Sequence, residues 1–437
     1  MPEKKTLRRR GFLKRAAAVA AGTIGLPYVI PSSALGGAAQ PPPSERIGLA
    51  FIGPGGRGAQ LVSEFAERPD VESLAVSDVR RDQRERIKKE VEKLAGQQRS
   101  RGTYRACQTY RDFRDVLARD DVDGVVIAAP EHWRAIMCTM AAKAGKDVFT
   151  EKPFALTIKE GQAMVETIRR FGRVFQHGTQ RRSNNEQKLR DSCELVRSGR
   201  IGKVTHAEVS VGPAPRSDFP DYTAQRTPPN REEFDWDLWL GPAPWRPYPG
   251  TPGIQGWQGR RDFGLGSIGN WGSHTLDMAQ WALDKDAEGP VEIIPPNRDE
   301  PRLTIVYADG VKIFCPRTPD DSANCAVFGT EGQKIIFASP KIEEKYDRTP
   351  LGPGDVRLYR PDRNDHNGNW LSCIRNRKPT ICNEEVGYRS GSLVALIAIC
   401  DWLGRPLKYD PVKAEFPGDD EANQLLDTPK RAPWRVY

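Results

Sequence analysis

An apolar run at residues 47–52 ends directly in Gly53-Pro54-Gly55-Gly56-Arg57-Gly58, and a helix-forming stretch at 59–65 follows at once. This feature constrains the chain more than any other. A strand that stops at glycines and restarts as a helix is the opening unit of a doubly wound parallel sheet. Glycine allows the tight turn and lets backbone approach a pyrophosphate, whose charge is favoured at a helix N-terminus. Asp78 closes the next strand, residues 71–76, twenty residues past Gly58. An acidic side chain there accepts both hydroxyls of an adenosine ribose, so the spacing points to a dinucleotide, NAD by preference. Arg80 and Arg81 keep NADP open, because a guanidinium meets a 2′-phosphate.

The alternation continues. Short strands are expected at 104–107, 125–128, 147–150 and 173–177, with helices at 133–144 and 157–171 that stop at Gly145 and Gly172. Thr109 with Asp112 reads as a capping box for a helix reaching Ala118. Strands alternating with helices predict a Rossmann domain over residues 46–179. From 180 to 404 the pattern changes to a helix at 186–197, a strand at 204–211 and a hairpin, 303–307 with 311–315, around Asp309-Gly310. Strands at 326–328 and 334–337 and a helix at 384–403 complete it. This predicts α/β overall, with a C-terminal α+β domain on an open, largely antiparallel sheet. Residues 405–437 read as a loop-like tail packed on the protein. The Pro/Gly/Trp-rich stretch 212–261 is too long for a mere connection. Its Trp236, Trp239, Trp245, Tyr248 and Trp257 argue against disorder. Packing is the expected role of most; such rings also stack on the C–H faces of sugars.

Seven cations against Glu3 give residues 1–15 a net +6 of the chain's +8, so the remainder carries +2. It shows no concentrated basic face, and nucleic-acid binding is not expected. The apolar stretch 16–30 is shorter than the roughly 20 residues that span a bilayer. With R-R-G-F-L-K at Arg9–Lys14 and small residues before Gly36 and Ala39, residues 1–39 resemble a twin-arginine signal, followed by a proline-rich linker, 40–45. Export through the Tat machinery to the periplasm or cell envelope is expected, with no membrane span after cleavage. The eight cysteines form no CxxC or Cys/His cluster, so buried thiols are expected and no metal site.

Two further segments carry chemistry. Glu151-Lys152-Pro153 follows the fifth strand, and residues 264–277 read G-L-G-S-I-G-N-W-G-S-H-T-L-D. With A-A-P-E-H-W at 128–133, G-T-Q-R-R at 178–182, D-W-D-L-W-L-G-P at 235–242 and H-N-G-N-W-L at 366–371, they occur in order over nearly the whole chain after the signal. The set resembles the Gfo/Idh/MocA oxidoreductases. That resemblance implies a substrate held between a nicotinamide and the second sheet, and it makes the open sheet a candidate surface for a homo-oligomer. It assigns the cofactor to Gly53, Gly55, Gly56, Arg57, Gly58 and Asp78. It adds Ala129, Pro130, His132, Glu151, Lys152 and Gln180. Lys152 then contacts the reacting hydroxyl and His274 is the base. The chemistry is sound, since an ammonium steadies a nascent alkoxide and favours neutral imidazole nearby.

Asn270, His274 and Asp277 lie at i, i+4 and i+7, one face of a helix. Asp277 is expected to orient the imidazole or hold a substrate hydroxyl. Many members of the family carry Asp where this chain has Asn270. Asn takes no proton; it either holds a sugar hydroxyl or caps the helix. His132, Trp133, His366 and Asn369 are further candidates for the same pocket, or for packing and capping.

The expected activity is NAD(P)-dependent oxidation of a hydroxyl on a carbohydrate, whether sugar, polyol or glycoside, with tightly bound cofactor. An exported enzyme meets little free NAD, so the cofactor must be regenerated within the site. One route oxidises one substrate and reduces another. A second oxidises a sugar transiently, eliminates a group and reduces the ketone again, which makes a redox-neutral glycosidase or lyase. A third reading, motivated by Asn270, is a dinucleotide- or carbohydrate-binding protein without catalysis.

Overall fold

The computed structural model describes residues 45–94, 106–183, 187–215, 226–250, 254–316, 324–338, 342–361 and 365–436. The expected signal and all but the last residue of the linker lie outside the described residues. β1 (Ile47–Ile52) sends Leu49 and Phe51 into one apolar layer and Ala50 and Ile52 into the opposite one. A strand covered on both faces has no solvent side, which is why it reads as an unbroken apolar run. It pairs in parallel with β2 (Val71–Ser77) and β4 (Gly124–Ile127). With β3 (Gln108–Tyr110), β5 (Asp147–Glu151) and β6 (Phe175–Gly178) they form an all-parallel sheet in the order β3-β2-β1-β4-β5-β6. Strand order reverses at β1, so the crevice beyond the ends of β1 and β4 is the switch point where ligands bind.

Helices α1 (Gly56–Ala66), α2 (Arg81–Leu94), α3 (Phe113–Leu117), α4 (Glu131–Lys143) and α5 (Ile158–Arg170) cover the sheet. The third strand lies at Gln108–Tyr110; of the expected 104–107, residues 104 and 105 lie outside the described residues, and 106 and 107 are not in a strand. It is a three-residue edge strand that pairs with Ala75–Ser77, too short and polar to show an apolar run. The expected capping box is also corrected. Thr109 sits in β3 and donates to Glu85, while Asp112 alone caps α3 by accepting from Arg114 N at 2.9 Å. Helix α2 escaped the sequence reading because Arg84, Ile87 and Val91 are its only buried residues.

The second sheet comprises β7 (Val204–Val209), β8 (Glu292–Ile294), β9 (Leu303–Val306), β10 (Lys312–Cys315), β11 (Cys325–Gly329), β12 (Gln333–Phe337) and β13 (Leu407–Lys408). Its order is β12-β11-β7-β10-β9-β8-β13, and only the β7–β10 pair is parallel. Ala207, Val209, Leu303, Ile305, Ile313 and Val327 face a core built with α6 (Gln187–Arg197), α8 (Ser273–Ala282) and α10 (Glu384–Leu403). Helix α10 is long and apolar enough to cross a membrane, yet most of it is buried in this core.

The two bodies interlock. Helix α9 (His366–Asn376) returns to the Rossmann sheet, where Trp370 packs 5.7 Å from both Phe65 and Phe149. The C-terminal residues are not a loop. They add β13 to the second sheet, bury Tyr409 and Phe416 in its core, then place Trp434 4.5 Å from Trp133 and Val436 in the Rossmann core. The eight cysteines are buried free thiols.

Candidate active site

The glycines after β1 fall into two groups. Gly53 has φ +63°, and a Cβ there would meet Ala129 Cα at 2.7 Å; one on Gly58 would meet Ala128 Cβ at 2.9 Å. These two glycines allow the turn and the close packing of α1 on β4. A Cβ on Gly55 or Gly56 would meet nothing within 4 Å. Their bare backbone faces open space at the start of α1, which is the cradle a pyrophosphate requires.

That cradle opens into a cavity of about 1100 Å³. Gly53, Gly55, Gly56, Arg57 and Asp78 line it, as do Ala129, Pro130, Glu151 and Lys152. The volume slightly exceeds the roughly 300–1000 Å³ of ordinary small-molecule sites, as an extended dinucleotide requires. Asp78 accepts from Arg80 N at 2.9 Å, and desolvation pushes its carboxyl up to about 6. The Arg80 guanidinium is paired with Asp82 at 2.5 Å, while Arg81 lines the cavity.

The far wall comes from the long aromatic stretch. It includes α7 (Trp236–Leu240), and Phe234, Trp239, Tyr248 and Trp257 all line the cavity. Backbone ties hold this strap to the adenosine edge: Arg81 N donates to Glu233 O at 2.8 Å and Asp235 N to Val79 O at 3.1 Å. Arg84 donates to Glu232 O at 3.0 Å, and Arg111 pairs with Glu232 and, at 3.5 Å, Asp235. Trp236 and Trp239 stack at 5.0 Å in their own apolar cluster, where Trp236 packs and Trp239 also lines the cavity; Trp245 is exposed.

At the other end, Lys152 Nζ donates to Asn270 Oδ1. Burial lowers the Lys152 pKa, against the raising influence of Glu151 and Glu131. Glu151 Oε1 accepts from Arg57 Nε at 3.0 Å and from Gln180 Nε2 at 2.9 Å. Gln180, at φ +56°, thus braces the cavity through Glu151 and does not line it. Asn270 lies inside a π turn, Ile268–Gly272, that leads into α8, so it is not the helix cap. His274 sits one turn on, and its Nδ1 lies 2.7 Å from Thr179 O. A carbonyl only accepts, so Nδ1 carries the hydrogen and Nε2 keeps its lone pair. Burial and the Lys152 ammonium depress the imidazole to about 4.

Other candidates are redirected. Asp277 is fully buried and neither touches His274 nor lines the cavity. Arg182 Nη2 donates to it at 2.8 Å, and Thr179 Oγ1 at 3.0 Å. It therefore anchors the Thr179 turn that holds His274, and bears on the imidazole through that turn and not by a direct bond. His132 is not a cofactor ligand either. Its Nε2 is 3.0 Å from Trp239 O and its ring packs 4.9 Å from Phe263, away from the cavity lining. His366 is buried between Ser183 Oγ, 2.6 Å away, and His177 O, at 2.9 Å. Asn369 accepts from Ile381 N at 3.0 Å. Both lie on α9 and tie it to the segments packed around it. Trp133 does line the cavity, its Nε1 donating to Leu238 O at 3.1 Å. Sequence reasoning gave no role to Arg182 or Thr179, although both lie in the G-T-Q-R-R segment.

Residues 47–179 match a family described as an oxidoreductase family with an NAD-binding Rossmann fold, and residues 193–436 match that family's C-terminal alpha/beta domain. The chain belongs to the Gfo/Idh/MocA oxidoreductase family. Its first domain is an NAD-binding Rossmann domain. It is 30% identical over 217 residues to the alpha-N-acetylgalactosaminidase of Shewanella oneidensis, covering 47% of this chain and 46% of that enzyme. The chain thus spans about half the length of the curated relatives it matches. In fold it is similar to the WlbA dehydrogenase from Bordetella pertussis, solved with NADH and UDP-GlcNAcA: TM-score 0.57, 17% identity, 84% of this chain and 99% of that one. It is also similar to the aldose-aldose oxidoreductase from Caulobacter crescentus: TM-score 0.52, 20% identity, 83% of this chain and 99% of that one.

Proposed function

We propose that this Gfo/Idh/MocA enzyme oxidises a hydroxyl of a sugar, polyol or glycoside with an NAD that stays bound between turnovers. One observation carries the reading: His274, its Nδ1 engaged by Thr179 O, keeps a neutral Nε2 under the influence of the Lys152 ammonium, and Lys152 lines the dinucleotide cavity. When bound, NAD supplies the hydride acceptor. The chain's own residues do the rest. Gly55 and Gly56 leave room for the pyrophosphate and Asp78 takes the ribose hydroxyls. His274 Nε2 removes the substrate hydroxyl proton, and Lys152 stabilises the negative charge on that oxygen. Asn270 takes no proton; it holds Lys152 in place.

Retention of the cofactor is supported by the strap, which closes the adenosine side of the cavity through several ties to the Rossmann edge. A retained cofactor must be returned to its starting state by a second substrate, or by reduction of the same sugar after a group has left. The likeness to an alpha-N-acetylgalactosaminidase favours the second course over part of the chain. Residues 1–39 direct the folded protein to the periplasm or cell envelope through the Tat machinery. The outward side of the second sheet, where His206 stacks on Phe328 at 4.5 Å, offers a homo-oligomer contact.

Mass spectrometry of the native protein tests the cofactor, and a panel of sugars and glycosides tests the chemistry. NADH accumulation identifies net oxidation; aglycone release without NADH identifies the redox-neutral course. Reduction of a second sugar without net NADH identifies the two-substrate course, and bound NAD with none of these products overturns the reading.

A further inference from the structure

We propose that Trp271 is a stacking platform for the pyranose ring of the substrate, an inference that rests on the carbohydrate reading above. The π turn Ile268–Gly272 holds an extra residue relative to an α-helix, a feature frequent at functional sites. Here it points Asn270 at Lys152 and leaves the next side chain, Trp271, in solvent. Trp271 is 47% exposed, whereas Trp239, Trp281 and Trp370 are at most 9% exposed. An indole in water forgoes the burial that such a side chain ordinarily gains. Among the described residues, no ring, cation or hydrogen-bonding group packs on it.

Position supplies the ligand. Trp271 leaves the same π turn as Asn270, which holds Lys152, and that turn leads directly into the helix that carries His274. A pyranose that offers one hydroxyl edge-on to His274 and Lys152 presents a C–H face beside that edge. A flat apolar ring flanking the base covers that face. An acyclic polyol can offer the same hydroxyl but holds no fixed face. The platform therefore selects cyclic over open-chain substrates.

The test uses the NAD-loaded enzyme and its Trp271→Ala and Trp271→Phe variants. KM and equilibrium binding are measured for a pyranose substrate from the panel and for an open-chain polyol of equal carbon number. Trp271→Ala should weaken the pyranose about tenfold, and the polyol by clearly less. Trp271→Phe should recover most of that loss, and NAD content should match wild type. Equal losses on both substrates, or no loss on the pyranose, overturn the platform while leaving the functional reading intact. A change of oligomeric state with unchanged sugar binding reassigns Trp271 to a subunit contact and also overturns it. A wild-type enzyme that binds no carbohydrate overturns the functional reading, and the platform with it.

Discussion

At the residue scale, the site divides into groups that meet the substrate and groups that hold them. His274→Ala and Lys152→Met should each lower kcat about 100- to 10,000-fold while NAD stays bound. Because they act on one hydroxyl, the double variant should be little slower than either single one. Rates additive in free energy would show that the two residues act separately. The pH profile follows from the depressed imidazole. His274 is a base only above its pKa, so the rate should fall as pH drops through about 4, not 6.5. Asp78 gives a second limb, in binding. Ribose hydroxyls donate to its ionised form, so NAD affinity should weaken below about pH 6, and discrimination against NADP with it. Isothermal titration with both cofactors at pH 5 and 8 measures this. Asp277 belongs to the holding groups. Asp277→Ala leaves the buried Arg182 guanidinium with Asp286 alone, a loss below the roughly 3–5 kcal/mol of a fully unpaired buried charge and measurable by denaturant unfolding. The sequence put Asn270, His274 and Asp277 on one helix face, but Asn270 sits in a π turn before the helix and Asp277 turns to Arg182. That partner of Asp277, 95 residues earlier, was not readable, because a long-range ion pair leaves no periodic mark.

At the element scale, what could be read was whatever a single segment dictates. The glycine turn after β1 is local chemistry, and strand, turn and Asp78 fall where the spacing put them. Short edge strand β3 and polar helix α2 carry little apolar signal and were misplaced or missed. The described part of the long aromatic stretch was not readable as a strap, since its bonds run to Val79, Arg81 and Arg84 in the other domain. Those bonds have a kinetic consequence. A cofactor beneath the strap leaves only when the strap opens, so wild-type protein should exchange bound NAD slowly with labelled NAD. Arg111→Ala removes the ion pairs to Glu232 and Asp235 at a partly exposed position, where the fold tolerates it. It should speed that exchange several-fold with little change in kcat. Exchange as slow as wild type would place retention elsewhere in the cavity.

At the scale of the whole molecule, the sequence suggested two consecutive domains and a tail, whereas the chain returns twice to the first domain. Trp370 of α9 fills the Rossmann layer between Phe65 and Phe149, and Trp434 and Val436 close the opposite layer against Trp133. Neither domain therefore owns a complete core. Consecutive domains with separate cores unfold independently, but bodies that share core residues unfold together. We expect one cooperative thermal transition for the NAD-free protein, with near- and far-ultraviolet dichroism coincident. Removing residues 405–437 makes the sharper test. The deletion takes β13 from the edge of the second sheet and Trp434 and Val436 from the Rossmann core. If the bodies are coupled, the shortened chain loses NAD binding although every residue lining the cavity is present. A shortened chain that binds NAD normally would show that the Rossmann domain is self-sufficient. The same coupling bears on export. If residues 1–39 direct export as proposed, a Rossmann core that includes Trp434 and Val436 has the chain fold and load its cofactor before transport. Arg9→Lys with Arg10→Lys should then leave an NAD-loaded protein in the cytoplasm. An unloaded protein outside the cell membrane would break both the coupling and the export route.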